Sequence, residues 1–415
     1  MSIGALGGSL SNAPWIAACF STAAPRGNCL LMVTRTNRSA SESGLRVAEL
    51  DVMRGLAALS VLLFHYCTRF DELYHHAQRP LVGWSLGSFG MQFFFMISGF
   101  VIFMTLERTQ RKLDFVVSRV SRLYPVYWAA IAVTTALVWT FGLPGLEVGL
   151  NDTLASATMV QSMLGFKSVD GVYWSLLVEL KFYVAMFLVF AGGMLPRIRW
   201  LMLAWVPLAF VVNHLYQYSP YGHAIAIKAL HGLLISDWIH LFALGVVMYH
   251  RKMAGRFQYV DLALIGLCLA NEYQHRLIHM SDPIEGARAV SLISPAGSAL
   301  LVAALCGVFY LLAAGWLKWL HIRPLLFLGA ISYPLYLVHQ NIGFVVLRSI
   351  ERAGINVNLG ILIATIVAIL LAATLHYAVE MPAMRAIRNR YKSWSRARPV
   401  AGALTPDARL GPSGA

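Results

Sequence analysis

Arg54 and His65 lie eleven positions apart in an otherwise apolar run, Asp51-Val-Met-Arg54-Gly-Leu-Ala-Ala-Leu-Ser-Val-Leu-Leu-Phe-His65. On a helix that separation returns to within about 20° of one face and spans roughly 16 Å. Asp51 falls on nearly the same stripe. An arginine at the edge of a bilayer and a histidine near its middle would supply an anion-binding cation above a titratable base. Taken singly, each has a plainer reading: Arg54 as a topology anchor, His65 as a buried, hydrogen-bonded histidine.

Further polar groups interrupt apolar stretches, where ionisable residues are expensive and point to function. Arg119 and Arg122 in Ser118-Arg119-Val-Ser-Arg122-Leu-Tyr124-Pro125 are spaced i,i+3, so they share a helix face and could clamp a polyphosphate; alone, they read as charge anchors. In Tyr173-Trp174-Ser175-Leu-Leu-Val-Glu179-Leu-Lys181-Phe-Tyr183, Glu179 sits about two turns into the bilayer. Lys181 points elsewhere, so Glu179 needs a partner on another helix or a polar cavity. Ser332, Tyr336 and His339 form one polar stripe at i, i+4, i+7; simple interhelical hydrogen bonding is the alternative. His376 and Glu380 (i,i+4) and Asp237 and His240 (i,i+3) could satisfy each other as pairs.

The elements that must carry these groups follow from composition. Hydrophobic residues make up 58% of the 415-residue chain and charged residues 13%. Ordinary soluble domains carry roughly a quarter charged residues, so a soluble protein, a disordered chain and a fibre are excluded. The expected fold is an all-α polytopic membrane bundle of about ten helices. Their expected extents are about 51–68, 86–106, 123–142, 173–192, 199–215, 227–249, 257–272, 291–314, 325–349 and 358–381. The fifth and seventh are the weakest stretches. The amphipathic segment 151–166 should lie at the interface. In the second span, Ser98 and Gly99 permit close helix approach.

The 33 Lys and Arg outnumber the 19 Asp and Glu, for a net charge of +14. With these spans, basic residues favour one set of alternating loops by roughly three to one, as the positive-inside rule requires. That places both termini in the cytoplasm and makes the charge a topology label rather than a nucleic-acid footprint. Residues 1–45 read as a disordered leader or over-extended start with Met32 as an alternative first residue, 46–384 as the membrane-embedded domain, and 385–415 as a basic cytoplasmic tail. No internal repeat is evident. The five cysteines show no CxxC or Cys/His ligand spacing, so neither a metal site nor a disulfide framework is indicated. There is no GxSxG elbow, Walker loop or HExxH.

Six features occur in order between about 47 and 382: Arg54-x10-His65, the FFFMISG run at 93–99, Arg119-x-x-Arg122, Trp174-Ser175-Leu176 through Glu179, Ser332-Tyr333-x-x-Tyr336-Leu-x-His339, and Glu380-x-Pro382. In this the chain resembles acyltransferase family 3, integral-membrane enzymes that transfer acyl groups, usually acetyl from acetyl-CoA, onto cell-envelope glycans and related hydroxyl acceptors. The resemblance implies an acyltransferase of the class moving groups other than amino-acyl groups, with His65 as catalytic histidine and Arg54 its motif partner. It further implies Arg119 and Arg122 as cytoplasmic donor-binding arginines and Glu380 as the last motif's carboxylate. Trp174, Glu179, Ser332, Tyr336 and His339 would serve the acceptor side or the polar framework. Acyl-CoA is expected as co-substrate, with no bound cofactor or metal and no nucleic acid. A carbohydrate or lipid-linked glycan is the expected acceptor, and a bacterial plasma membrane the setting. One departure is that Asp237 and His240 precede Phe242-Ala-Leu-Gly245, where many members carry an arginine and a glutamate. The competing class is a transporter or flippase of an envelope precursor, whose proton relays also use buried His and Glu; a non-catalytic assembly subunit would leave the intramembrane carboxylates without a purpose.

Overall fold

A computed structural model describes residues 48–221, 224–279 and 293–397; the leader, Cys19, Cys29 and the end of the tail lie outside them. Thirteen α-helices follow one another in these segments, and no strand occurs among the described residues. The first helix, α1 (Ala48–Tyr74), passes through a π-turn at His65–Arg69. It is followed by α2 (Phe89–Glu107), α3 (Lys112–Phe141), the short α4 (Leu150–Ser156), α5 (Trp174–Ala191) and α6 (Ile198–Tyr218). Then come α7 (Ile225–Leu234), α8 (Ile239–Ala254), α9 (Tyr259–Ile278), α10 (Pro295–Ala313), α11 (Arg323–Arg352), α12 (Val357–Leu375) and α13 (Met381–Ala397).

Among the described residues, nine helical segments are long and apolar enough to cross a membrane. The protein is therefore a multi-pass integral membrane protein. Nine of the ten expected spans are met, with Ile225–Ala254, which joins α7 and α8, taking the place of the sixth. The seventh forms as α9 but falls outside the apolar set. Its Asp261, Asn271, Glu272, Gln274 and His275 are all buried, so this helix turns polar groups inward. Glu272 explains why that is tolerated: it accepts from Gln92 of α2 at 3.2 Å, from Ser298 of α10, and pairs with His240 of α8 at 2.8 Å. A buried carboxylate stands only when such partners replace its water.

The sixth span is not continuous. Residues 235–238 form a turn between α7 and α8, with Ile235 at φ 54°, a conformation that disfavours a β-branched side chain. The expected i,i+3 pairing of Asp237 with His240 therefore does not form, because the helix that would align them is broken. His240 turns to Glu272, and Asp237 turns to His231, His275 and His279. Segment 151–166 does not cross: α4 and a turn at Gln161–Leu164 leave Leu150, Leu154, Met163 and Leu164 exposed, as an interfacial segment would. The stretch expected as a tail begins as α13, which is docked on α3. Arg388 donates to Ser121 at 3.2 Å and Tyr391 to Asp114 at 2.7 Å.

Two close crossings set the interior. Gly55 of α1 lies against the backbone of Leu328 and Gly329 of α11. Gly99 of α2 lies against the Phe242 carbonyl of α8, and Gly245 of α8 against the Met96 carbonyl of α2. These reciprocal small-residue contacts bear out the close approach expected at Ser98-Gly99, since only glycine leaves room for the facing backbone. Gly99→Ala should cost about 1–3 kcal/mol, read as a lower apparent melting temperature in detergent. An unchanged melting temperature would show that the two helices can separate without loss.

Every residue of α11 from Pro334 to Val345 is buried. Its polar groups are met from all sides: Tyr66 donates to the His339 carbonyl at 2.8 Å, Tyr173 to the Leu337 carbonyl at 3.3 Å, and the Asn341 amide donates to Asp170 at 3.0 Å. Asp170 lies in the loop before α5. Burial pushes its carboxyl up to about 7, against the opposing pull of the Asn341 and Val172 amides. This lattice fixes the register of α11, and with it the candidate site.

Candidate active site

The site is assembled on α11 by its neighbours. Four helices, α1, α3, α5 and α11, together with the aromatic face of α2, enclose a cavity of about 70 Å³. Arg54, Arg119, Arg122, Glu179, Ser332 and Tyr336 all line it. Six residues singled out from four separate stretches of sequence thus meet around one space.

Its charge is unbalanced. Three guanidinium groups face one lining carboxylate, Glu179. Arg54 also has Asp51 at 3.7 Å, a loose contact one turn away on α1. Glu179 is engaged by two hydroxyls, accepting from Ser98 at 2.6 Å and from Tyr183. The partner on another helix expected for Glu179 is therefore Ser98 of α2, joined by Tyr183 of its own helix. Lys181 does point elsewhere, toward Gly232. Arg119 lies over the rings of Phe115 and Tyr183, 5.8 and 5.9 Å from their centroids, and its buried Nε makes no hydrogen bond. Grouped cations of this kind, with a buried donor left over on Arg119, are suited in chemistry to an anion.

The polar stripe of α11 leads away from this cavity toward His65. Tyr336 shares a hydrogen bond of 2.6 Å with Ser175. His339, almost a turn further on, meets His65 of α1, with His339 Nε2 3.2 Å from His65 Nδ1 and ring centroids 4.8 Å apart. The partners decide the tautomers. His339 Nδ1 faces the Tyr336 carbonyl at 2.9 Å and His65 Nδ1 faces the Val61 carbonyl at 2.8 Å. A carbonyl only accepts, so both Nδ1 atoms carry hydrogen in the neutral rings. His339 Nε2 is then a second acceptor for the His65 Nδ1 hydrogen. The lone pair of His65 is left on Nε2, the atom that can take a proton. His65 opens the π-turn of α1, a distortion that recurs at functional sites because one extra residue re-aims the side chains that follow.

Not every candidate converges. His65 and His339 do not line the arginine cavity; α11 connects the two places. Glu380 closes a second π-turn and is buried against His376, with Nδ1 to Oε2 at 2.7 Å. It too lies off the cavity. Trp174 packs between Phe95 and Trp238, with centroids at 6.3 and 5.2 Å, and is framework. Ser98 and Ser175 were visible only as packing or motif residues, and Glu272 not at all, since their partners lie on distant segments.

The arrangement is a cavity lined by three arginines and joined by one helix to a pair of imidazoles. A protein-family profile described as an acyltransferase domain matches residues 47–377. The chain belongs to this acyltransferase family. It is accordingly an acyltransferase, and the match covers Arg54, His65, the Arg119–Arg122 pair, Glu179 and the whole α11 stripe, ending just short of Glu380. A curated relative, the exopolysaccharide production protein ExoZ of Rhizobium meliloti (strain 1021), is 26% identical over 340 residues, covering 77% of this chain and 96% of the relative. No solved structure matches.

Proposed function

We propose that this acyltransferase moves an acyl group, acetyl in the first instance, from cytoplasmic acyl-CoA to a hydroxyl of a cell-envelope polysaccharide or its lipid-linked precursor. The observation that carries this reading is the convergence of Arg54, Arg119 and Arg122 on one cavity whose α11 wall continues to His65. In this reading the arginines hold the donor's phosphates. A second cleft of about 610 Å³, bordered by Arg111, Ser118, Arg388 and Lys392 between α3 and α13, offers further cations for the nucleotide end. In this reading α9 crosses as well, both termini and this basic face lie in the cytoplasm as the loop charges lead one to expect, and the membrane is a bacterial plasma membrane. The polysaccharide acceptor follows the relative's role in exopolysaccharide production.

The chemistry assigned to His65 conserves atoms and charge. Nε2 accepts the proton of the acceptor hydroxyl as its oxygen attacks the thioester carbonyl. The C–S bond then breaks, and the departing thiolate takes the proton, leaving free CoA and an ester. In the variant in which His65 relays the acyl group, Nε2 itself attacks the thioester and the hydroxyl then displaces the imidazole. His339 and the Val61 carbonyl position the ring, and Glu380, held by His376, is the last motif's carboxylate.

Membranes containing the protein, incubated with radiolabelled acetyl-CoA and extracted envelope glycan, should transfer label to the glycan fraction and release CoA in equal amount. Label that crosses the membrane with a glycan while the thioester stays intact would instead establish transport. No CoA release with any short acyl donor would sink the proposal.

A further inference from the structure

A second polar cluster lies outside this site, where the broken sixth span meets α9. Asp237 sits in the 235–238 turn, His275 lies in the last turn of α9, and His279, four positions on, caps that helix. One ligand atom from each of the three falls within 4.8 Å of the others. His275 Nδ1 and His279 Nε2 are 3.6 and 3.7 Å from the same oxygen, Asp237 Oδ1. His231 Nε2 of α7 is 3.4 Å from that oxygen and 3.3 Å from Asn213 Oδ1. The cluster is largely enclosed: the side chains of His275, His231, His279 and Asp237 are 6%, 15%, 19% and 20% exposed.

These spacings are too long for hydrogen bonds to a carboxylate, which close to about 2.7–2.9 Å. They match the edge of a coordination polyhedron instead. Two ligand atoms each about 2.0–2.1 Å from a tetrahedral ion are about 3.3 Å apart. Three imidazole nitrogens gathered on one carboxylate oxygen that accepts no hydrogen bond are what a shared cation would organise. The donor set selects the ion. Imidazole nitrogen with a single carboxylate suits zinc and its neighbours in the first transition row, whereas calcium and magnesium require oxygen-rich sites.

We propose that Asp237, His275 and His279 bind a divalent transition-metal ion of the zinc class, with His231 at hand as the fourth protein ligand. The site departs from the expectation of no metal drawn from the sequence, and it does not depend on the acyl-transfer reading. Its ligands come from α7, the turn and α9, so the ion ties the two halves of the interrupted span to the helix that carries Glu272. That gives the Ile235 turn a purpose: an unbroken helix would carry Asp237 away from the α9 histidines. Around the ligands stand Trp238, with its centroid 4.7 Å from that of His275, the Tyr216 ring stacked on His231, and the ammonium of Lys181, which acts on Asp237.

The test uses the full chain purified in detergent through a tag without histidines, incubated with zinc and desalted. Elemental analysis should find about one zinc per chain, and none above background in His275→Ala/His279→Ala. The variant His321→Ala, whose histidine pairs with Glu49 at the start of α1, should bind as the wild type does. Cobalt in place of zinc should give the intense visible bands of a tetrahedral site, shifted in Asp237→Asn, a variant that keeps the side chain's size if the double variant fails to fold. A chelator should lower the wild-type melting temperature and leave that of the double variant unchanged. Wild-type protein that retains no more zinc than the double variant, or cobalt bands identical in Asp237→Asn, would overturn the site.

Discussion

Replacing His65 with alanine is expected to lower acyl transfer by about 10²–10⁴-fold, the usual worth of a positioned general base, while the protein still inserts and still binds donor. The expectation rests on the way Nδ1 is occupied. The Val61 carbonyl at 2.8 Å and His339 Nε2 at 3.2 Å both take the Nδ1 hydrogen, so the ring is held in one tautomer with Nε2 as base. Alanine removes the base and leaves the arginine cavity, which His65 does not line, intact. Turnover should therefore fall with little change in KM for the donor, the pattern of an interaction made only in the transition state. The measurement is initial-rate CoA release in membranes holding equal amounts of each protein. Acid-quenched protein incubated with labelled donor separates the two roles. Label trapped on wild type and absent from the variant indicates an acyl relay, and label on neither indicates a base. Near wild-type turnover by His65→Ala would remove His65 from the chemistry.

Much of this geometry was legible because it is periodic. The Arg54-to-His65 interval and the Ser332–Tyr336–His339 stripe depend only on helical repeat; the structure puts Arg54, Ser332 and Tyr336 at the cavity and brings His339 to His65 beyond it. Glu179 was legible in a weaker sense: an intramembrane carboxylate without a neighbour on its own helix must find a partner elsewhere, and Ser98 is that partner. Whatever depends on local breaks or on long-range pairing was not. The turn at 235–238 contains neither glycine nor proline, the residues that normally announce an interruption, so the sixth span read as one helix and Asp237 was set beside the wrong histidine. The seventh span read as one of the two weakest because Asp261, Asn271, Glu272, Gln274 and His275 dilute its apolar character. In the fold those residues are buried, so their polarity reports internal bonding rather than exposure. The His275-x-x-x-His279 spacing carries a signal for the proposed metal that the cysteine spacings do not. The π-turns at His65 and Glu380 leave no mark in composition, yet each of them aims a motif residue.

Removing the two α3 arginines of the cavity, Arg119→Ala/Arg122→Ala, is expected to raise KM for acyl-CoA by about 10²–10⁴-fold, since each charge-assisted hydrogen bond is worth about 1.5–3 kcal/mol. The two side chains lie one turn apart on α3, and both line the cavity. Neither has a carboxylate of its own, because Glu179 is engaged by Ser98 and Tyr183, and Asp51 by Arg54. Their charge is therefore available to a ligand, and Arg54 remains at the cavity to face Glu179 when they are truncated. Arg54→Ala is a less clean probe, since it also releases Asp51. Lysine at both positions keeps the charge but loses the planar fork that grips two phosphate oxygens, so Arg119→Lys/Arg122→Lys should recover part of the loss. The decisive comparison is between donors. Full acyl-CoA should lose affinity steeply in the alanine variant, whereas an acylated pantetheine without the nucleotide and its phosphates should bind wild type and variant alike. Equal loss for both donors would mean that the arginines serve the fold or the acceptor, and the anion receptor would then have to be sought at Arg111, Arg388 and Lys392.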